Sequence, residues 1–217
     1  MNADELKAWF ETVHQVLETA YLAQDEPWRQ SGQSGPYERW EALRKPVADC
    51  IDRSGTFLDI GCANGYLLEC CLRWTSDRGV SIEPFGLDLS AALVDLAGQR
   101  LPKYSDHFFV GNSFYWNPPR RFDFVRTELV YVPGEYERAY VVRLIERFLA
   151  PQGKLLVANY GEGNPNVEKG LLPGSFPAQD VLARLADLEL KTLGFQDGYD
   201  PIKDRKVRIA ILDSTSH

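Results

Sequence analysis

Residues 57–68 read FLDIGCANGYLL. An apolar run breaks at Gly61, a short turn leads to Gly65, and apolar residues then resume at helical spacing. A strand that ends in such a turn and restarts as a helix brings its backbone close to something small. Three ligand types suit that geometry: a dinucleotide, a nucleotide phosphate, or a cofactor with no phosphate.

The residues around the turn separate these. A dinucleotide fingerprint requires G-x-G-x-x-G, with the third glycine admitting close helix–sheet contact. Here Ala63 stands at the second glycine and the bulky Tyr66 at the third. A phosphate-binding loop requires G-x-x-x-x-G-K-[ST], and no lysine follows Gly65. The turn also opens with an acid, Asp59, at the strand end. A carboxylate there suits a cationic ligand group, such as an amine, better than a pyrophosphate.

Outward from the turn, short apolar runs alternate with helical patterns. FLDIG, PFGLD, HFFVG, FDFVR and KLLVANY read as strands, and 64–74, 90–100, 135–149 and 178–188 as helices. Alternation of this kind predicts an α/β fold: a doubly wound, mostly parallel, seven-stranded sheet with helices on both faces. Residues 190–195 and 206–212 supply the last two strands, with a bend expected around QDGYDPIKD. Upstream, Leu6, Phe10, Val13, Leu17 and Tyr21 form one face of a helix, capped by Asn2 with Glu5. A polar, glycine-containing stretch bearing Trp28, Tyr37 and Trp40 leads to a second helix opening at Pro36, in which Pro46 predicts a kink or an early end. Residues 1–54 are therefore expected to form a helical cap or lid on a ligand-binding domain spanning 55–217.

Composition narrows the partners. The chain has 217 residues, 44% of them hydrophobic and 25% charged, which supports a sizeable core. A net charge of −7 disfavours a phosphate backbone as partner, so nucleic acid is not expected. The acidic start MNADELK resembles no secretory signal, and no apolar run reaches membrane-spanning length. Four cysteines, two of them the adjacent Cys70 and Cys71, fit neither a disulfide framework nor a zinc site. They read as packing residues of a reduced, cytoplasmic protein.

DIGCANG (59–65) resembles the glycine-rich motif of the class I S-adenosylmethionine (SAM) methyltransferases, commonly D/E-x-G-x-G-x-G, with Ala63 departing from the middle glycine. The resemblance continues in order along residues 55–213. GLDLS (86–90) looks like the second-strand motif, and VGNSFYW (110–116) like the adenine motif. FDFVRTELVYV (122–132) looks like the fourth-strand motif, and FLAPQGKLLVANY (148–160) like the helix end and fifth strand. It implies a Rossmann-like fold binding SAM and releasing S-adenosylhomocysteine (SAH). The cofactor residues it implies are Asp59, Gly61, Cys62, Ala63, Asn64 and Gly65 in the turn, and Asp88 with Leu89, the acid accepting the ribose hydroxyls. Asn112, Ser113 and Phe114 would lie around adenine, and Arg126 and Thr127 near the methionine part. Cys62 would contribute backbone only.

Chemistry is expected at the strand ends, where Glu128 and Tyr131 are the candidate catalytic residues and Tyr160 is similarly placed. Asn117-Pro118-Pro119 resembles the N-P-P-Y signature of amine-directed methyltransferases, but it precedes the strand FDFV and is followed by Arg120. It reads as a loop, which removes the main argument for nucleic-acid methylation. No His/Asp/Glu cluster has metal-ligand spacing. The expected activity is methyl transfer to a small-molecule acceptor. Acceptor specificity is expected in residues 1–54 and in the Gly/Pro-rich stretch 161–177. A SAM-binding regulatory or assembly module, or a protein or RNA methyltransferase, remain the alternatives.

Overall fold

The computed structural model describes residues 1–32, 35–160 and 180–217. Helix α1 (Ala3–Leu22) opens with a complete capping box: Asn2 accepts the Glu5 N–H, and the Glu5 carboxylate accepts the Asn2 N–H. Helix α2 (Tyr37–Asp49) follows, with Pro36 as its N-cap residue. The helix runs past Pro46 to Asp49 instead of ending there. Pro46 lies in the last turn, so it removes a single intrahelical bond close to where the helix stops anyway.

Strand β1 (Gly55–Ile60), α3 (Tyr66–Ser76), β2 (Ile82–Asp88), α4 (Ala91–Arg100), β3 (Phe108–Val110), β4 (Phe122–Thr127), α5 (Glu137–Phe148) and β5 (Leu149–Asn159) follow in alternation. Beyond them lie α6 (Val181–Asp187), β6 (Gly194–Asp200) and β7 (Arg205–Leu212). The described strands form one sheet in the order β3-β2-β1-β4-β5-β7-β6, with β7 antiparallel to both neighbours. Two late details differ from the sequence expectation. Residues 190–193 are not strand, and QDGYD belongs to β6 rather than to a bend; only Pro201–Asp204 turns. Cross-strand pairing to β7, including Asp197 with Arg208, outweighs the turn propensity of that stretch.

Side-chain alternation divides the core in two. On one face Phe57, Phe124 and Leu156 pack with α2, α3 and α4; on the other Leu58, Val125, Leu155 and Val157 pack with α5, α6 and the start of α1. Helix α2 is tied to the sheet edge by a buried pair. Arg39 Nε and Nη2 donate to both oxygens of Asp200 at 2.9 and 2.7 Å, and Asp200 also accepts the N–H groups of Ile202 and Lys203. Burial alone would raise the Asp200 pKa, but these donors hold it well below the usual carboxylate range.

Strand order reverses between β1 and β4, so the crevice of this sheet lies above the carboxyl end of β1. No helix among the described residues is long and apolar enough to cross a membrane.

Candidate active site

The glycine turn is built from alternating left-handed residues: Gly61 (φ 73°), Ala63 (φ 47°) and Gly65 (φ 73°). At Gly61 a side chain would meet the Tyr131 hydroxyl at 2.5 Å, and at Gly65 it would meet the Ala97 Cβ of α4 at 2.9 Å. These two glycines allow close approach of a neighbour, while Ala63 carries a side chain in a conformation costing an L-residue roughly 1–2 kcal/mol. Ala63 is held there by its N–H, which donates to Asp88 Oδ2 at 2.9 Å. The N–H groups of Gly61 and Cys62 both turn back to the Leu87 carbonyl. Asp88 Oδ1 accepts the Ser90 N–H at 3.0 Å. Asp88 thus joins the end of β2 to both the turn and the start of α4. Burial pushes its pKa up, against the pull of these N–H donors.

Above this floor lies a cleft that opens to solvent at its mouth. From the floor, Ile60, Gly61, Leu87, Asp88, Leu89, Ser90, Asn112, Ser113 and Tyr131 face it. The roof is α1, which presents Phe10, Val13, His14, Leu17, Glu18 and Tyr21. Glu18 fastens roof to floor: its Oε2 accepts from the Ser90 hydroxyl and lies 3.1 Å from His14 Nε2. The Ser90 bond, then His14, lowers the Glu18 pKa. Tyr21 is pushed up to about 12, chiefly by burial and then by Glu128.

Of the cofactor candidates, Gly61, Asp88, Leu89, Asn112 and Ser113 face the cleft. The others are not among its lining residues. Asn64 points away and donates to the Pro27 carbonyl and Gln30 Oε1, tethering the segment after α1. Thr127 and Ser113 both bond the Tyr140 hydroxyl of α5, at 2.7 and 3.0 Å. Phe114 packs against Phe10 and Tyr136. The Cys62 thiol is buried, and burial raises its pKa well above the usual value. Asn112 uses its side-chain oxygen locally, accepting the Phe114 N–H at 2.9 Å.

Arg126 is the hub of a second polar layer. Asp59 and Arg126 are partners across β1 and β4. Arg126 Nη1 donates to Asp59 Oδ1 (3.3 Å), the Ile60 carbonyl (3.2 Å) and the Tyr131 hydroxyl (2.8 Å). Its Nη2 donates to Glu128 and to the Tyr160 hydroxyl. Tyr131 in turn donates to Glu128 at 3.1 Å. Asp59 is almost fully buried, and burial raises its pKa to about 6; Arg126 opposes the rise while Glu128 and Asp88 add to it. The Tyr131 pKa is likewise raised well above the ordinary value by burial, so its hydroxyl is a neutral donor at physiological pH. Glu128 and Tyr131 are therefore brought together as expected, but both are engaged with Arg126.

The aromatic residues after α1 pack on α2 and α3. Trp40 is fully buried against Tyr66 and Trp74 of α3, and Trp28 packs edge-on to Tyr37. The stretch 161–177, where acceptor specificity was also expected, lies outside the described residues. A cap over the ligand-binding domain was expected of residues 1–54; which residues of α1 would face the cleft was not. The apolar stripe through Tyr21 was visible, but His14 and Glu18 flanking it carried no sign of which surface the helix would meet.

No protein-family profile matches the chain, and no curated protein matches it in sequence. Solved structures do. A 1,6-didemethyltoxoflavin-N1-methyltransferase of Burkholderia thailandensis, solved with that compound and SAH, superposes with a TM-score of 0.67. The match covers 97% of this chain and 90% of that one at 13% identity. A geranyl diphosphate C-methyltransferase of Streptomyces coelicolor gives a TM-score of 0.61 at 15% identity, over 95% and 98% of the two chains. Magnesium protoporphyrin IX methyltransferase of Synechocystis, with SAM bound, gives 0.59 at 14% identity, over 94% and 97%. The chain has the class I SAM-dependent methyltransferase fold, with an added N-terminal helix.

Proposed function

We propose that this protein is a SAM-dependent methyltransferase acting on a small molecule, with SAM bound in the cleft between the glycine turn and α1. The observation that carries this reading is the position of Asp88. It is a half-buried carboxylate at the end of β2, one strand from the turn, and it faces the cleft beneath α1. Its two oxygens each accept one N–H and retain lone pairs for ribose hydroxyls. Leu89 would bound the ribose, and Asn112, Ser113 and Phe114 the adenine. Asp59, Gly61 and the turn backbone through Gly65 would face the methionine part, with Arg126 setting the orientation of Asp59 and Thr127 bracing the fourth strand through Tyr140.

SAM, when bound, supplies an electrophilic methyl group on a sulfonium. The chain's own contribution is placement and exclusion of water beneath α1. Well-oriented reactants gain about 7–11 kcal/mol over a bimolecular encounter. Glu128 and Tyr131 are proposed to orient the acceptor from the Arg126 network. With its carboxylate held by a guanidinium, Glu128 is better suited to accept a hydrogen bond than to remove a proton. This favours an acceptor atom that is already nucleophilic. The protein is expected to act in the cytoplasm.

Calorimetry tests the reading: SAM and SAH should bind and NAD should not. Tighter binding of NAD than of SAM would overturn it. A release assay for SAH across pools of small molecules then separates transfer from mere binding.

A further inference from the structure

We propose that the acceptor carries a carboxylate, and that Arg44 of α2 is the residue that receives it, above the ring of Tyr160. The proposal rests on the methyltransferase reading and concerns its acceptor side. Arg44 is 6% exposed, and its guanidinium carbon lies 3.5 Å over the Tyr160 ring centroid. Its Nη1 is buried with no hydrogen-bond partner, and no carboxylate among the described residues forms an ion pair with it. A buried guanidinium normally finds an anion, and leaving its donors unmade costs free energy. The carboxylates nearby are already taken: Asp59 and Glu128 both serve Arg126. Arg126 itself keeps a buried Nε with no partner, with its guanidinium carbon 5.6 Å from the same Tyr160 ring. One tyrosine ring thus sits beside two buried cations, each with an unused donor.

Position argues for the acceptor rather than the cofactor. The cleft above the glycine turn is lined from α1, from α4 and from the ends of β1 to β4, and its lining includes no residue of β5 or α2. Tyr160 follows β5, two strands from β1, which is about 9–10 Å across a sheet. The route between the two regions is short, because Tyr21, which lines the cleft, and Arg44 both approach Gly32. A planar monoanion matches one guanidinium in two-point contact. A phosphate dianion would carry twice the charge into a layer that already holds Asp59 and Glu128.

The test needs no knowledge of the acceptor. The protein, with and without saturating SAH, is titrated with acetate, acetamide and inorganic phosphate while the Arg44 Nε–H signal is followed by NMR, assigned by its absence in R44K. Acetate should shift the signal saturably and acetamide should not. R44Q should raise the acetate dissociation constant at least tenfold, R44K less, with thermal melts confirming that both fold. Absence of an acetate shift, an equal shift with acetamide, or tighter binding of phosphate overturns the proposal. So does a shift produced by SAH but not by 5′-methylthioadenosine, with no further response to acetate; the carboxylate would then be the cofactor's. Failure of SAH to bind at all overturns the methyltransferase reading and the acceptor with it. The acetate titration of the SAH-free protein distinguishes that result from loss of the anion site alone.

Discussion

Replacing Asp88 with alanine should damage cofactor binding and local stability together, and the structure lets the two be separated. Asp88 accepts the Ala63 N–H at 2.9 Å and the Ser90 N–H at 3.0 Å. Truncation leaves both donors without their acceptor, at roughly 1–3 kcal/mol each. A loss of about 2–6 kcal/mol in stability is expected, greatest at the turn, where Ala63 already holds a left-handed conformation (φ 47°). In the bound state two ribose hydroxyls lose a charged acceptor, worth roughly 1.5–3 kcal/mol apiece. The SAH dissociation constant should therefore rise by about 10²–10⁴-fold. Asp88→Asn keeps the shape and one oxygen acceptor, so it should fall between wild type and alanine on both scales. The assay is calorimetric titration with SAH and, separately, with 5′-methylthioadenosine, alongside urea melts that confirm a folded variant. Both ligands carry the ribose, so both should weaken. An SAH dissociation constant within threefold of wild type, in a folded variant, would refute the role of Asp88 and reduce it to a brace for the turn.

Asn112→Ala should weaken SAH less than Asp88→Ala, because its oxygen serves the Phe114 N–H and only a neutral amide remains for adenine; the reverse ranking in the same titrations would misplace the adenine. Asp59, raised to about 6 by burial, binds its proton more readily folded than unfolded, where it titrates near 3.9. Its contribution to stability is therefore lost as pH rises from about 4 to about 6. Affinity for the ammonium of SAH should instead rise through the same window and level off above it, as the carboxylate forms; Asp59→Asn should remove both trends, and 5′-methylthioadenosine should show neither. Arg39→Ala removes the two-point partner of the buried Asp200 carboxylate, leaving it the Ile202 and Lys203 N–H groups and the more distant Arg205, and should cost up to about 3–5 kcal/mol in urea melts, with SAH affinity unchanged in the folded fraction. Hydrogen exchange with and without SAH tests the proposed lid: α1 and residues 26–32 should gain protection on binding, while the fully buried Trp40 region should be equally protected in both states.

The order of elements from β1 to β5, the glycine turn and the acid ending β2 were all legible in the sequence. Each is a local pattern: period-two and period-3.6 apolar spacing, glycines where the backbone is left-handed, and a carboxylate one strand away from them. Motifs that recur in a fixed order along one chain need no tertiary information to be recognised. The late strands were less legible, because QDGYD is held as β6 by its partners in β7, and pairing partners distant in sequence leave no local mark. Pro46 was misleading for a similar reason, since a proline in a last turn looks like one in the middle until the helix end is known. The site divides along the same line. That Gly61 and Gly65 form the turn follows from the φ freedom of glycine, whereas Ala63 is held in it by Asp88. That α1 forms its roof, that Glu18 bonds Ser90, and that Arg126 engages both Asp59 and Glu128 depend on elements up to about a hundred residues apart meeting at one sheet edge. Arg44 is the extreme case: in sequence it is one more cation on an amphipathic helix, and only burial over Tyr160, away from every available carboxylate, makes it a site.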